Sequence, residues 1–207
     1  TLIDKEAGSR VVIDVAGGNT VKEMWVKAGG LTKNIMHKNG GPWMAPWANR
    51  LLMTALKDGT DLKALLDDPD LKGLLTIDKE TDKGVITRHG IVRKARWKLE
   101  GRGSDERGAY LTSSFDSADY PAIHKYFKEF KITITYRLKA GRLKMEINIR
   151  GSGKMGLAFH PGFAGQGRVV IPAAKRWEND DNLMPFPREP IPVDDSGFDF
   201  RSGSQNQ

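Results

Sequence analysis

The side chains best suited to acid–base chemistry in this sequence are its four histidines, His37, His89, His124 and His160. Histidine moves protons readily near neutral pH, because its unperturbed pKa lies there. His89 and His160 each stand beside a glycine or a proline, with an aromatic residue nearby in sequence, where a loop is expected to meet a strand. We therefore take these two as candidate catalytic residues, whereas a structural role is the default for His37 and His124.

The sequence contains no pattern typical of a metal site, a serine nucleophile or a phosphate-binding loop. Two histidines separated by one or three residues would favour a metal site, but neither spacing occurs, and the chain has no cysteine. A serine nucleophile on a G-x-S-x-G turn is absent, as are the glycine-rich phosphate loops of nucleotide-binding proteins. The sequence therefore predicts no metal site and no serine hydrolase chemistry.

The elements that must position His160 give the clearest pattern in the chain. Residues 131–138 and 143–150 both alternate apolar with polar side chains, which is typical of half-buried strands. Lys139-Ala140-Gly141 joins the two runs and has the length of a hairpin turn. Beyond this hairpin the proline after His160 favours an extended backbone at the histidine. We expect a rigid sheet to hold the imidazole close to a bend.

The remaining pattern favours many short strands with little helix. We predict a helix over Thr60–Leu66 and loops over residues 28–41 and 101–108. Strands are expected at residues 11–15, 24–26, 91–99, 110–115 and 168–172. The fold class predicted is an all-β antiparallel sandwich or barrel, with residues 1–207 forming a single domain.

The charge and hydropathy of the chain limit the classes of partner that we expect it to bind. The net charge is +7, but the basic residues are spread along the chain among acidic ones, without the signature of a nucleic-acid-binding module. We expect no nucleic acid partner. No apolar run reaches the length of a membrane span, and no secretory signal is visible, which favours a cytoplasmic protein with no membrane partner.

Four short motifs, weak when taken singly, occur together along the sequence. They are Pro46-Trp47-Ala48-Asn49-Arg50, then His89-Gly90 leading to Trp97, then His160-Pro161-Gly162-Phe163, and finally Pro192-Val193 leading to Phe198-Asp199-Phe200-Arg201. In order and spacing they resemble the aldose 1-epimerase (galactose mutarotase) family. The resemblance implies a large antiparallel β-sandwich, in agreement with the strand pattern.

The resemblance also implies an activity, the interconversion of the α and β anomers of a hexose by acid–base opening of the sugar ring. By analogy, His160 is the acid at the ring oxygen, and His89 hydrogen-bonds the same region of the sugar. Arg50, with Asn49 beside it, would orient sugar hydroxyls through its planar fork of donors. The partner implied is a small-molecule sugar, and the reaction needs no metal or organic cofactor.

Two departures from the family pattern stand out. The family usually has a tyrosine where Gly162 stands, so one wall of the pocket is altered. The family's catalytic base is a glutamate near the C-terminus, downstream of the motif that ends at Arg201, and this sequence contains no match to it. We interpret the chain as a mutarotase that lacks its C-terminal strands. The alternative is a reduced, non-catalytic sugar-binding relative.

Three further hypotheses stay open on the sequence alone. A sugar-phosphate mutarotase is motivated by Arg88, Arg93, Lys94 and Arg96 around His89, although the outward faces of a strand are the favoured interpretation of these cations. A carbohydrate-binding protein without turnover is motivated by Trp43, Trp47 and Trp97, which could stack on sugars or fill the core. The third is a β-domain that binds no sugar.

Overall fold

A computed structural model describes residues 1–46, 56–81, 84–87, 89–152, 155–164, 175–176, 189 and 191–192. Within them, the strands are β1 (Leu2–Asp4), β2 (Ser9–Asp14), β3 (Thr20–Ala28), β4 (Leu31–Asn34), β5 (Trp43–Met44), β6 (Ile77–Thr81), β7 (Gly84–Thr87), β8 (Lys98–Asp105), β9 (Gly108–Asp116), β10 (Phe130–Lys139), β11 (Arg142–Gly151), β12 (Ala158–Phe159), β13 (Lys175–Arg176) and β14 (Ile191–Pro192). The helices are α1 (Leu62–Asp67), α2 (Pro69–Lys72) and α3 (Pro121–Tyr126), with a 3₁₀ turn at Ser117–Asp119.

Strands dominate the described residues, and the named strands pair in antiparallel fashion, as the sequence predicts. One four-stranded sheet has the order β1-β2-β3-β4, and a second has the order β11-β10-β9-β8. Two-stranded pairs join β5 to β12, β6 to β7 and β13 to β14. The chain divides into two compact units, Thr1–Ala164 and Gly165–Gln207. The first contains both large sheets, and the second contains the β13–β14 pair.

The predicted hairpin is confirmed as β10 and β11. Lys139 pairs with Arg142, so the turn itself consists of Ala140 and Gly141, both with positive φ (50° and 71°). Such a turn matches the right-handed twist of the two strands. The four alternating apolar residues of β10 are all buried, namely Ile132, Ile134, Tyr136 and Leu138. The apolar face of β11, the edge strand of this sheet, is covered only in part, since Leu143 and Met145 are half-buried whereas Ile147 and Ile149 are exposed.

The two large sheets share one hydrophobic core. From the first sheet it takes Leu2, Val11, Ile13 and Val21, and from the second Leu111, Phe115 and the apolar face of β10. Alternate residues of β2 are buried, which is the pattern of a strand with one face in the core. Burial of this apolar area is the main favourable contribution to folding.

A chain of buried hydrogen bonds crosses between the sheets. Trp43 Nε1 donates to the Tyr136 hydroxyl (2.6 Å), which donates to the carbonyl oxygen of Asn19 (3.0 Å). Ser113 Oγ donates to Asn19 Oδ1 (2.9 Å), and all four residues are buried. Trp43 is therefore a core residue, as is Trp97, and neither is available to stack on a sugar. Trp47 lies outside the described residues.

Several local predictions need correction. Residues 28–41 are not all loop, since they contain β4, and most of the expected loop over 101–108 belongs to β8. Residues 91–97 are a turn-rich segment rather than the start of a strand. The helix predicted over Thr60–Leu66 is confirmed as α1, with Asp61 Oδ1 accepting from the backbone N–H groups of its first turn. The expected strand at 168–172 lies outside the described residues.

Candidate functional site

His160 is held by backbone pairing along one edge of residues 35–44. Phe159 pairs with Trp43 in the β5–β12 ladder, and their rings lie 4.9 Å apart between centroids. The N–H of His160 donates to the carbonyl oxygen of Pro42 (3.0 Å), and the N–H of Gly162 to that of Gly40 (2.9 Å). The position of the histidine is therefore fixed by backbone contacts at, before and after residue 160, all of them to residues 40–43.

His89 is held against the same stretch of chain. Gly90 bridges Ala45 in parallel fashion, and the N–H of Ile91 donates to the carbonyl oxygen of Ala45 (2.8 Å). His89 and Gly90 both have positive φ (60° and 69°). A Cβ at Gly90 would stand 2.1 Å from the Ala45 carbonyl oxygen, so this close approach requires glycine. Since residues 42–45 carry both attachments, the two histidines converge.

The two imidazoles form a pair at one cavity. Their ring centroids lie 5.3 Å apart with the planes at 69°, and both residues line a cavity of about 560 Å³. His89 is half-buried and His160 is exposed. The full lining is Gly17, Thr20, Lys22, His37, Asn39, Gly40, Pro42, His89, Arg93, Lys94, His160 and Gly162. A cavity of this volume falls within the range of small-molecule sites.

A third histidine, His37, lines the same cavity. The backbone N–H of His37 donates to the carbonyl oxygen of Gly162 (2.8 Å), so His37 belongs to the segment that pairs with the residues around His160. A structural role is the default for His37 on the sequence alone, because its neighbours are typical of a loop. His124, by contrast, lies on α3 with its Nδ1 3.5 Å from Glu129 Oε1, and it does not line this cavity.

Cations accompany the histidines. Lys22, Arg93 and Lys94 line the cavity, and its lining within the described part of the chain includes no Asp or Glu. Burial, with a smaller contribution from nearby Arg93, lowers the pKa of the Lys94 ammonium from its usual value. Because residues 91–97 are not a strand, Arg93 and Lys94 do not lie on the outward face of a strand. Arg96 lines a separate hollow with Trp97 and Tyr120.

Asn49 and Arg50, the residues expected to orient sugar hydroxyls, lie outside the described residues, as does Arg88. Within the described ranges, no group of three or more His, Asp or Glu side chains is placed to hold a metal ion. Nor does any helix there have the length and apolar character needed to cross a membrane.

Comparisons with known proteins bear on this site. The model of the aldose 1-epimerase family matches residues 74–207, which is more than half of the chain. A solved structure of a galactose mutarotase-like protein from Clostridium acetobutylicum shares the fold with a TM-score of 0.62 and 21% sequence identity. The match covers 90% of this chain and 59% of that one. No curated protein matches at a significant level.

The fold is thus a galactose mutarotase-like antiparallel β-sandwich. The chain belongs to the aldose 1-epimerase family. The resemblance drawn from the four sequence motifs is confirmed at the level of family and fold.

Proposed function

We propose that the protein interconverts the α and β anomers of an aldose, with a hexose bound in the cavity beside His89 and His160. Family membership supports the reaction class. The observation that carries the proposal is the approach of the two imidazoles to 5.3 Å between centroids at the wall of one open cavity. Groups that titrate near neutral pH are the ones best suited to transfer protons to and from a hemiacetal.

The proposed chemistry is a balanced pair of proton transfers. A general base, the role that the family gives to a C-terminal glutamate without a match in this sequence, accepts the proton of the anomeric hydroxyl. The bond between C1 and the ring oxygen breaks, and the ring oxygen takes a proton from His160. After rotation about the C1–C2 bond the ring closes on its other face, and both protons return. His89 hydrogen-bonds the region of the ring oxygen, while Asn49 and Arg50 orient the sugar hydroxyls. No organic cofactor takes part in this scheme.

The extent of the catalytic unit is part of the same proposal. The match to the solved mutarotase-like protein spans 59% of that chain. Catalytic activity of residues 1–207 alone is therefore part of the proposal. We propose that these residues act as one mutarotase-like domain. A cytoplasmic location belongs to the proposal as well.

The test is a mutarotation assay on freshly dissolved α-glucose and α-galactose, followed by polarimetry. We expect the wild-type protein to accelerate the approach to anomeric equilibrium. His160→Ala should lower the rate by about a hundredfold or more, since a positioned proton donor contributes at least that much. The matched control is His124→Ala, which removes an exposed imidazole on α3 and should leave the rate unchanged.

Two results would count against catalysis. A wild-type protein that leaves the optical decay unaltered contradicts turnover, and equal rates for wild type and His160→Ala contradict the role of that imidazole. Calorimetric binding of the same sugars without any mutarotation would select the alternative, a carbohydrate-binding protein of the same fold.

A further inference from the structure

Strand β11 forms one edge of the second large sheet. Within the described part of the chain it pairs only with β10. Lys139 pairs with Arg142 across the two-residue turn, and the N–H of Ser152 donates to the carbonyl oxygen of Glu129 (3.1 Å). Because antiparallel strands bond through alternate residues, the even-numbered residues of β11 direct their N–H and C=O groups to β10. The odd-numbered residues from 143 to 151 direct theirs away from β10, where a further strand can bond them.

The face of β11 that turns toward the core carries two exposed isoleucines. Ile149 pairs with Ile132 of β10, and Ile147 pairs with Ile134. The two β10 residues are fully buried, whereas Ile147 and Ile149 are 44% and 43% exposed. Paired residues of neighbouring strands lie on the same face of the sheet. The apolar row of the core therefore continues to the edge strand and ends there half covered, and burial of the remainder is favourable.

The opposite face of β11 carries side chains of both charges. Four exposed side chains follow one another along it, namely Lys144, Glu146, Asn148 and Arg150. Lys144 Nζ lies 2.8 Å from Glu146 Oε1. On neighbouring strands, unlike charges directly opposite each other are stabilising and like charges are destabilising. This order of charges therefore decides in which register a further strand of the same sequence can pair with β11.

We propose that β11 pairs with β11 of a second copy of this chain, in antiparallel fashion about a two-fold axis at Asn148. The pairing joins one four-stranded sheet from each copy edge to edge. Ile147 then lies opposite Ile149 of the second copy, so that each copy covers the exposed isoleucines of the other. Glu146 lies opposite Arg150 of the second copy. Both contacts occur twice, because a two-fold axis builds the interface from the same residues on each side.

The backbone of β11 fits this register. Ile147 and Ile149 direct their N–H and C=O groups outward, so the two residues meet as a hydrogen-bonded pair. Glu146 and Arg150 direct theirs to β10, so these two residues meet as a non-hydrogen-bonded pair, where side chains approach most closely. The ion pair therefore falls at the position where side chains across the new edge interact best.

Other registers of the same two strands are less favourable. One shift of the axis places Lys144 opposite Arg150 of the second copy, and the next places Glu146 opposite the same residue of the second copy. A third register opposes Lys144 to Glu146 but sets Ile149 opposite Gly141 in the hairpin turn, where the isoleucine gains no apolar partner. Of these registers, the proposed one satisfies the charges and the isoleucines together.

Sedimentation equilibrium tests the association directly, from micromolar to millimolar concentration of the chain. We expect a reversible equilibrium between monomer and dimer, because a single pair of strands buries less area than a standard stable interface. Hydrogen exchange followed by NMR locates the interface. The amides of Ile147 and Ile149 should exchange more slowly as the dimer forms. Those of Glu146 and Asn148 are the internal control, since they face β10 in monomer and dimer alike and should not change.

The second experiment reverses charges at the proposed ion pair. Glu146→Arg and Arg150→Glu each place like charges opposite each other at two points of the interface, and each should weaken dimerisation by about tenfold or more. The double variant restores unlike pairs and should recover the dimerisation of the wild type. Lys63→Glu is the matched control for Arg150→Glu, because it makes the same change in net charge at an exposed position of α1. It should leave dimerisation unchanged.

The outcomes decide for or against this interface. A protein that stays monomeric at every concentration overturns the proposal. So does a dimer that both single reversals leave intact, or one that the double variant fails to restore, since its interface then lies elsewhere. Slower exchange at Ile147 and Ile149, together with rescue by the double variant, supports the proposal. None of these measurements depends on sugar turnover, so the result is independent of the proposed function.

Discussion

At the scale of single residues, the site depends on residues such as Gly90, whose close backbone contact fixes the position of a neighbouring functional side chain. Gly90 lies so close to Ala45 that only a hydrogen fits there, and this contact places His89 beside the strand that carries His160. Lys94 lines the same cavity, and partial burial together with the proximity of Arg93 lowers the pKa of its ammonium group.

The pKa of Lys94 offers a direct test of the local charge. We expect NMR titration of its side chain to give a pKa below the usual lysine value, and Arg93→Ala to raise it by removing repulsion. Because the folded state holds this proton less tightly than the unfolded chain, stability rises as pH rises through the interval between the two pKa values. An unchanged pKa in Arg93→Ala would exclude the repulsion.

At the scale of elements, one central strand holds the two sheets and the site segment in register. The Tyr136 hydroxyl on β10 accepts from Trp43 on β5 and donates to Asn19 in the β2–β3 turn. Trp43 in turn packs on Phe159, the residue before His160. Burial raises the pKa of Tyr136 far above its usual value, so the hydroxyl stays neutral and can serve both partners.

We predict that Tyr136→Phe lowers the free energy of unfolding by about 1–3 kcal/mol, because the Trp43 N–H and the Asn19 carbonyl both lose a buried partner. Urea denaturation followed by tryptophan fluorescence measures the change. Tyr110→Phe is the matched control on the neighbouring strand β9, where Arg137 stacks on the half-buried ring that phenylalanine retains. We expect the control to stay within about 0.5 kcal/mol of wild type. Equal losses in the two variants would contradict the bridging role.

The sequence predicted the elements whose burial alternates and missed those that form by pairing alone. Strand β10 can be predicted from the sequence because every second side chain is apolar and lies in the core. Strand β8 has no buried residue and β4 is nearly as exposed, so backbone bonds to β9 and β3 define them without a hydrophobic pattern. Residues 91–97 resemble a strand in sequence. In the structure, however, the burial of Ile91, Val92, Ala95 and Trp97 does not follow the period of two that a strand requires.

The candidate site shows the same division. His89 and His160 were paired through the family resemblance, since no local pattern relates residues so far apart in sequence. The inclusion of His37 and Lys22 in the cavity depends on strand pairing across residues 35–44 and on where the β2–β3 turn docks, and neither contact leaves a mark in the side-chain pattern.

At the scale of the Thr1–Ala164 unit, the docking of the β2–β3 turn onto residues 93–97 joins the first sheet to the segment that follows His89. Gly18 is the point of closest approach, and its φ of +74° already disfavours other residues. The cavity therefore depends on a contact between elements that are far apart in sequence.

We predict that Gly18→Ala destabilises the protein more than Gly29→Ala does. Both glycines have positive φ, but nothing lies within 4 Å of a Cβ at Gly29, whereas one at Gly18 meets the Arg93 carbonyl. The control should lose about 1 kcal/mol of unfolding free energy from backbone strain alone. Gly18→Ala should lose a further 1–3 kcal/mol or so from displacement of the packed segment. Thermal and urea unfolding measure both, and equal losses would mean that the docking contributes little.

The pairing of residues 35–44 with the His160 strand has one more consequence, which concerns how this pocket can change over evolutionary time. A Cβ at Gly162 would lie 3.3 Å from the Cβ of His37 and 3.4 Å from the carbonyl oxygen of Gly40. A side chain added at 162 would therefore start in tight contact with the His37 side chain and the Gly40 carbonyl, and one of these neighbours would have to give by a few tenths of an ångström. A lineage that enlarges position 162 must accommodate this shift, which couples the position to residue 37.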